Sequence, residues 1–264
     1  MRKILIFVAS GFSTRMGGFP KALAEVNGTP VIVHAMNCSK AYYDGIFIIC
    51  NEKTFPSFNE VVEKYGCNAA VRTIVTGKGD AESVWKSLKL VEEEVGEAFD
   101  CTFCWGDAYF ATPEAFKRMM NPCIRLEEVP SILVGCSIDT SPYAYFDFRT
   151  IGGDMERMEI RKSYFKKRDG SVSLGMHDQC IFRCASSTFL SCLEKYREVL
   201  GFDGENYRLS PNNEMGLLDS FSFFSKNGLS AFICLLPSNN VFSFNTAEEL
   251  LQINIELQNK LSEI

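Results

Sequence analysis

The run Ile4-Leu5-Ile6-Phe7-Val8-Ala9 contains no polar side chain and is rich in β-branched residues. A strand of that composition is buried on both faces, which a parallel sheet covered by helices provides and a half-solvated antiparallel sheet does not. Directly after it come Ala9-Ser10-Gly11-Phe12-Ser13-Thr14-Arg15-Met16-Gly17-Gly18-Phe19-Pro20-Lys21-Ala22-Leu23. Ser10 and Gly11 let the backbone approach a ligand closely, and free N–H groups in such a loop suit an anion. Arg15 adds a planar fork of donors and Lys21 a mobile point charge, a set that suits a triphosphate.

Further apolar strands are expected at about 46–50, 70–75, 101–105 and 131–138, alternating with helical patterns at about 30–40, 57–65, 80–95 and 112–120. Alternation of this kind predicts parallel strands joined by crossover helices. After residue 139 the order changes. Ser141-Pro142-Tyr143 opens an irregular section, Ile151-Gly152-Gly153-Asp154 reads as a turn, and Met158–Phe165 and Ser171–Arg183 read as antiparallel strands. Helices return near 186–199 and 213–227, followed by a strand at 229–235 and a last helix capped by Thr246. The expected fold is α/β, a Rossmann-like, mostly parallel sheet flanked by helices, with a small antiparallel insertion facing the substrate. One domain is expected over 1–264, with 1–138 as its nucleotide-binding half and 139–264 as its acceptor-binding half and C-terminal helix.

Residues 9–23 resemble the signature loop of the nucleotidyltransferases that activate sugar phosphates, A-A-G-x-G-T-R-M followed by P-K. Ser10 replaces the second alanine and Ser13 the second glycine. The step from Arg15 to Lys21, with Gly17 and Gly18 inside it, is more similar to the molybdopterin-nucleotide transferase branch. A P-loop and a Rossmann glycine fingerprint are both missing from the chain. The resemblance extends over nearly the whole chain, strongest at residues 4–36 and weakest at 140–185, and implies a GT-A-like fold.

A second site begins at Trp105-Gly106-Asp107, where a strand ends in glycine and a carboxylate. Ligands of open α/β sheets sit at that edge, and Mg²⁺ commonly takes one or two oxygens from protein and the rest from phosphate and water. The resemblance makes Asp107 one magnesium ligand and Asn245, before the last helix, the other; plain helix-terminal roles are the alternatives. Thr76-Gly77-Lys78-Gly79-Asp80 resembles the element that reads the base, and Asp80 reads equally as the cap of the 80–95 helix.

Together these similarities imply Arg15 and Lys21 as catalytic residues, and Ala9, Ser10, Gly11, Gly77, Lys78, Gly79 and Asp80 as the nucleotide site. Glu159, Lys162, Asp178 and Glu214 would face the acceptor. Arg161, Lys162, Lys166 and Lys167 read alternatively as a solvated strand face, Cys180 stands where the family has glycine, and His177 is given no catalytic role. The stretch Asn213–Asp219 resembles the sugar branch. The implied activity is therefore Mg²⁺-dependent transfer of a nucleoside monophosphate from a triphosphate to a sugar 1-phosphate or similar small phosphorylated acceptor. Alternatives are a molybdopterin cytidylyl- or guanylyltransferase and an inactive nucleotide-sugar binding protein. A glycosyltransferase would want an aspartate-x-aspartate motif, which the sequence lacks.

Composition narrows the partners. Among 264 residues the net charge is −6, which gives no general affinity for nucleic acid. No apolar stretch reaches the ~18–20 residues that span a bilayer, and the apolar run at the N-terminus is too short for an export signal. A cytoplasmic enzyme is expected, and the sequence is compatible with a homo-oligomer. Its 11 cysteines lie within apolar strands and helices, where reduced core thiols are expected. Cys101-x-x-Cys104 has no second Cys or His pair at zinc spacing.

Overall fold

A computed structural model describes residues 1–122, 130–152, 154–238 and 240–262. The chain opens with β1 (Lys3–Val8), the hairpin β2 (Glu25–Val26) and β3 (Thr29–Pro30), and α1 (Val31–Ser39). It continues through β4 (Gly45–Cys50), α2 (Phe55–Lys64), β5 (Ala70–Thr73), α3 (Asp80–Val95) and β6 (Asp100–Trp105). β7 (Tyr109–Phe110), α4 (Glu114–Met120), β8 (Ser131–Asp139), β9 (Ala144–Ile151) and β10 (Asp154–Phe165) follow. The remainder is α5 (Lys166–Asp169), β11 (Gly175–Ala185), α6 (Ser186–Val199), α7 (Leu217–Lys226), β12 (Ser230–Leu235), β13 (Val241–Phe242) and α8 (Ala247–Ser262).

Among the described residues nine strands form one mixed sheet in the order β5-β4-β1-β6-β11-β8-β12-β10-β9. β5, β4, β1 and β6 are mutually parallel, β11 runs antiparallel between β6 and β8, and β12 lies parallel to β8. β10 pairs antiparallel with β12 and with the edge strand β9, whereas the other strand expected in the insertion, β11, lies inside the sheet between β6 and β8. From β1 the chain winds out to β4 and β5, then returns to β6 on the other side of β1. That reversal opens a crevice at the carboxyl ends of β1 and β6.

Strand alternation feeds two cores. Ile4, Ile6 and Val8 pack with Val84, Leu88, Phe189 and Phe224 of α3, α6 and α7, whereas Leu5 and Phe7 pack with Met36, Phe58 and Phe116 of α1, α2 and α4. Fully buried side chains of this size are each worth about 1.5–3 kcal/mol. A third, smaller core gathers Val26, Val31, Tyr109, Phe244 and Ile253 beneath α8. Among the described residues no helix is long and apolar enough to cross a membrane. Cys101 and Cys104 belong to opposite faces of the sheet, so they do not form a chelating or redox pair.

Several boundaries differ from the sequence reading. Residues 144–151 form β9, where Ala144, Phe146 and Phe148 on the covered face alternate with Tyr145, Asp147 and Arg149 on the other, the last two exposed. Part of the turn expected at 151–154, Gly153, lies outside the described residues. β11 starts at Gly175 and not at residue 171. A Cβ at Gly175 would stand 3.0 Å from Tyr145 Cβ, so this strand end abuts β9. α7 starts at Leu217 because the preceding residues form a strap tied to the loop before α3: Met215 N donates to Lys78 O (2.7 Å) and Ala81 N to Met215 O (3.0 Å), with Asn213 left-handed at φ 56.

Candidate active site

The loop after β1 is anchored from within. Ala9 N donates to Ile49 O, and the Ser10 carbonyl accepts from Asn51 Nδ2 (3.1 Å) and Thr76 Oγ1 (2.7 Å). With that carbonyl turned inward, Gly11 and Phe12 make no hydrogen bond among the described residues, so their amides are free for a ligand. A 3₁₀ turn over Thr14–Met16 follows, closed by Met16 N and Gly18 N on Ser13 O. Arg15 is exposed and makes no ion pair among the described residues.

Ser13, the position that departs from the family's glycine, has φ 47, and Cys180, which replaces another glycine, has φ 58. Both adopt the left-handed backbone that glycine reaches freely, at a conformational cost of about 1–2 kcal/mol each. Ser13→Gly is expected to raise the melting temperature by about 1–3 °C, since relief of that cost outweighs the added chain entropy and the loss of the long hydrogen bond that Ser13 Oγ accepts from Lys21 N (3.4 Å). A thermal melt of the variant checks it, and a lowered midpoint would contradict it.

Lys21 lies where three remote segments meet. Its Nζ stands 2.7 Å from Asp107 Oδ2 and 3.2 Å from Asn245 Oδ1. The lysine side chain is 14% exposed and that of Asp107 26%. Gly106 explains how β6 delivers Asp107 so close to β1: Gly106 N donates to Val8 O, and a Cβ there would lie 2.7 Å from Ala9 Cβ. Two oxygens thus converge on one cation, here the ammonium. A carboxylate and an amide oxygen form a hard donor pair that fits a cation taking its other ligands from phosphate and water.

The loop before α3 is folded by that helix's first turn. Gly77 N donates to Ser83 Oγ (3.2 Å) and Lys78 N to Glu82 Oε2 (2.7 Å), so these two amides are already engaged. Gly79, at φ 102, has no room for a side chain, since its Cβ would lie 2.4 Å from Met215 O. Lys78 keeps an exposed side chain at the rim. Asp80 is turned from the expected nucleotide contact to the backbone: Oδ1 accepts from Leu217 N (2.7 Å) and Ala81 N (2.8 Å), tying α3 to α7. Although Asp80 stays open to solvent on one side, the protein packed around its carboxyl, with the charge of Asp178, raises its pKa to about 6.

The residues expected at the acceptor are not all brought together. Glu214 is exposed beside the Lys78–Gly79 loop, carried there by the strap. Asp178 accepts from Cys180 N (3.2 Å) at an irregularity in β11, and burial raises its carboxyl pKa. Burial raises the Cys180 thiol as well, with the charges of Asp178 and Asp107 adding and Lys21 opposing. His177 joins a polar group with Ser137 and Gln179. Glu159, by contrast, is buried and committed elsewhere: Arg149 Nε donates to Oε2 (2.7 Å) and Ser230 Oγ to Oε1 (2.8 Å). Lys162 is exposed, its ammonium 4.4 Å from the Tyr164 ring centroid in the edge hairpin. Neither Glu159 nor Lys162 reaches the Lys21 cluster through these contacts. The sequence reading missed Asn51 and gave Thr76 only as the start of the base-reading element, whereas both lock the Ser10 carbonyl; their positions just past strand ends on the same sheet edge were the available signal.

Comparison with known proteins adds three findings. The MobA-like NTP transferase domain model matches residues 5–136, half of the chain. The chain is 30% identical over 100 residues to a 2-C-methyl-D-erythritol 4-phosphate cytidylyltransferase of Chlorobaculum tepidum, covering 36% of this chain and 41% of that one. It is 27% identical over 97 residues to a ribitol-5-phosphate cytidylyltransferase of Streptococcus agalactiae, covering 35% and 40%. The matched region thus spans about two fifths of the length of these relatives. In fold it is similar to the inositol-1-phosphate CTP transferase from T. maritima, with TM-score 0.67, 15% identity, and coverage of 98% of this chain and 96% of that one.

Proposed function

The chain belongs to the MobA-like NTP transferase domain family, and from that premise we propose that it is a magnesium-dependent cytidylyltransferase, transferring CMP from CTP to a phosphorylated polyol or sugar. The observation that carries the reading is the meeting of Lys21, Asp107 and Asn245 at the carboxyl ends of β1 and β6. Support for CTP, and for a polyol phosphate as acceptor, comes from the names of the two relatives and of the similar structure.

The chemistry needs no protein nucleophile. An oxygen of the acceptor phosphate, already anionic at neutral pH, attacks the α-phosphorus. The bond from that phosphorus to the α–β bridging oxygen breaks, and its electron pair leaves with pyrophosphate. Catalysis is then positioning plus neutralisation of charge. Lys21 and Arg15 neutralise the triphosphate and the departing pyrophosphate, while the amides of the β1 loop orient it. Asp107 and Asn245 would hold Mg²⁺, which supplies electrostatic stabilisation of the phosphate oxygens when bound. Asp178 and Glu214 border the acceptor end of the crevice.

The test is pyrophosphate release with Mg²⁺, each nucleoside triphosphate being paired with ribitol 5-phosphate, inositol 1-phosphate, hexose 1-phosphates and molybdopterin. Release that requires CTP and a polyol or sugar phosphate is the expected result. Release only with the pterin, or binding without release from any pair, would overturn it. Asp107→Ala is expected to abolish Mg²⁺-dependent release, and an unaltered Mg²⁺ response in that variant would remove its role as ligand.

A further inference from the structure

Asn245 is offered to the Lys21–Asp107 pair by a short connection between a buried aromatic and a helix. On one side Phe244, 1% exposed, is fixed in the small core under α8. On the other, Thr246 and Glu249 form a reciprocal box at the start of α8: Thr246 Oγ1 accepts from Glu249 N (3.2 Å), and Glu249 Oε2 accepts from Thr246 N (3.3 Å). The same Glu249 oxygen also accepts from Asn245 N, one residue outside the cap. That additional bond exceeds what helix capping requires, and it fixes the backbone of the residue whose side chain meets Lys21 Nζ.

Further along the helix, Asn254 Oδ1 accepts from Asn27 N (2.9 Å) in the turn between β2 and β3. This hairpin follows the Lys21–Leu23 turn directly, so α8 is braced against the segment that carries Lys21. Glu249 itself is exposed, so its conformation rests on these hydrogen bonds and not on packing.

We propose that Glu249 is a positioning residue that holds the Asn245 side chain in place for a divalent cation; the inference rests on the preceding reading of Asn245 as a ligand. The carboxylate acts through the Asn245 N–H and touches no reacting atom. Removing it frees the backbone of Asn245 while leaving the amide oxygen in the chain.

The full chain is titrated with Mn²⁺ in the presence of CTP, bound metal being read by electron paramagnetic resonance and the fold by a thermal melt. Glu249→Ala is expected to weaken Mn²⁺ binding about tenfold, as loss of partners that orient a ligand does. Glu249→Gln, whose amide oxygen still accepts from both N–H groups, is expected to restore binding to about twofold of the parent. Thr246→Ala breaks the cap alone; it is expected to lower the melting temperature while leaving the Mn²⁺ affinity unchanged. Adding Glu249→Ala to Asn245→Ala should cost nothing further, because the two act through one side chain. An affinity that falls with Asn245→Ala and not with Glu249→Ala would overturn the positioning role alone. An affinity indifferent to Asn245→Ala would remove the ligand reading and this inference with it.

Discussion

Lys21→Ala is expected to reduce turnover by about a hundredfold or more, the loss typical of removing one preorganised charge from a site that stabilises developing negative charge. The ammonium is already between Asp107 and Asn245, so little reorganisation is needed to bring it to a triphosphate in the same crevice. The fold should survive the change. Lys21 is held by its neighbours Ala22 and Leu23, which are buried in the core under β1, and by the turn that closes Ala24 N on Lys21 O. Lys21→Arg is expected to restore little, because a planar guanidinium cannot take the place of a point charge between two oxygens. Steady-state pyrophosphate release and a thermal melt check this together. Near-parental turnover with a cooperative melt would exclude Lys21 from the chemistry.

The sequence revealed the left half of the sheet because β1, β4 and β6 are buried on both faces and read as unbroken apolar runs. It concealed β9, where one face is wet and Asp147 and Arg149 alternate with apolar residues, so no continuous apolar run marks the strand. For the site, strand-end position was informative. Asp107 and the β1 loop follow adjacent strands, so sheet order alone brings them together. The partners of Glu159 and Asp80 could not be read from sequence, although the helix-start reading of Asp80 agrees with its bond from the Ala81 amide. Those partners, Arg149 and Ser230 for one and the Leu217 amide for the other, come from an adjoining strand or from far along the chain. Cys180 carries a signal the sequence hides, a positive φ of 58 at a residue other than glycine.

The other large effect lies at the opposite end of β6 and concerns stability alone. Asp100 opens that strand, and Arg183 reaches it from the adjacent, antiparallel β11. Arg183 Nε donates to Asp100 Oδ1 (2.9 Å) and its terminal nitrogens to Asp100 Oδ2 (2.6 Å) and to Met119 O (2.7 Å) at the end of α4. Both side chains are nearly buried, 13% and 14% exposed, so neither charge has water to fall back on. Arg183→Met is therefore expected to destabilise the protein by about 3–5 kcal/mol, the cost of leaving a carboxylate unpaired in such a place. At this chain length that lowers the melting temperature by about 10 °C. Adding Asp100→Leu should recover part of the loss, because two apolar side chains leave no orphaned charge. Turnover at 25 °C should change little in either variant, the pair being a full strand length from Asp107. Equal melting temperatures for parent and Arg183→Met would mean that water reaches Asp100 readily enough to replace the guanidinium.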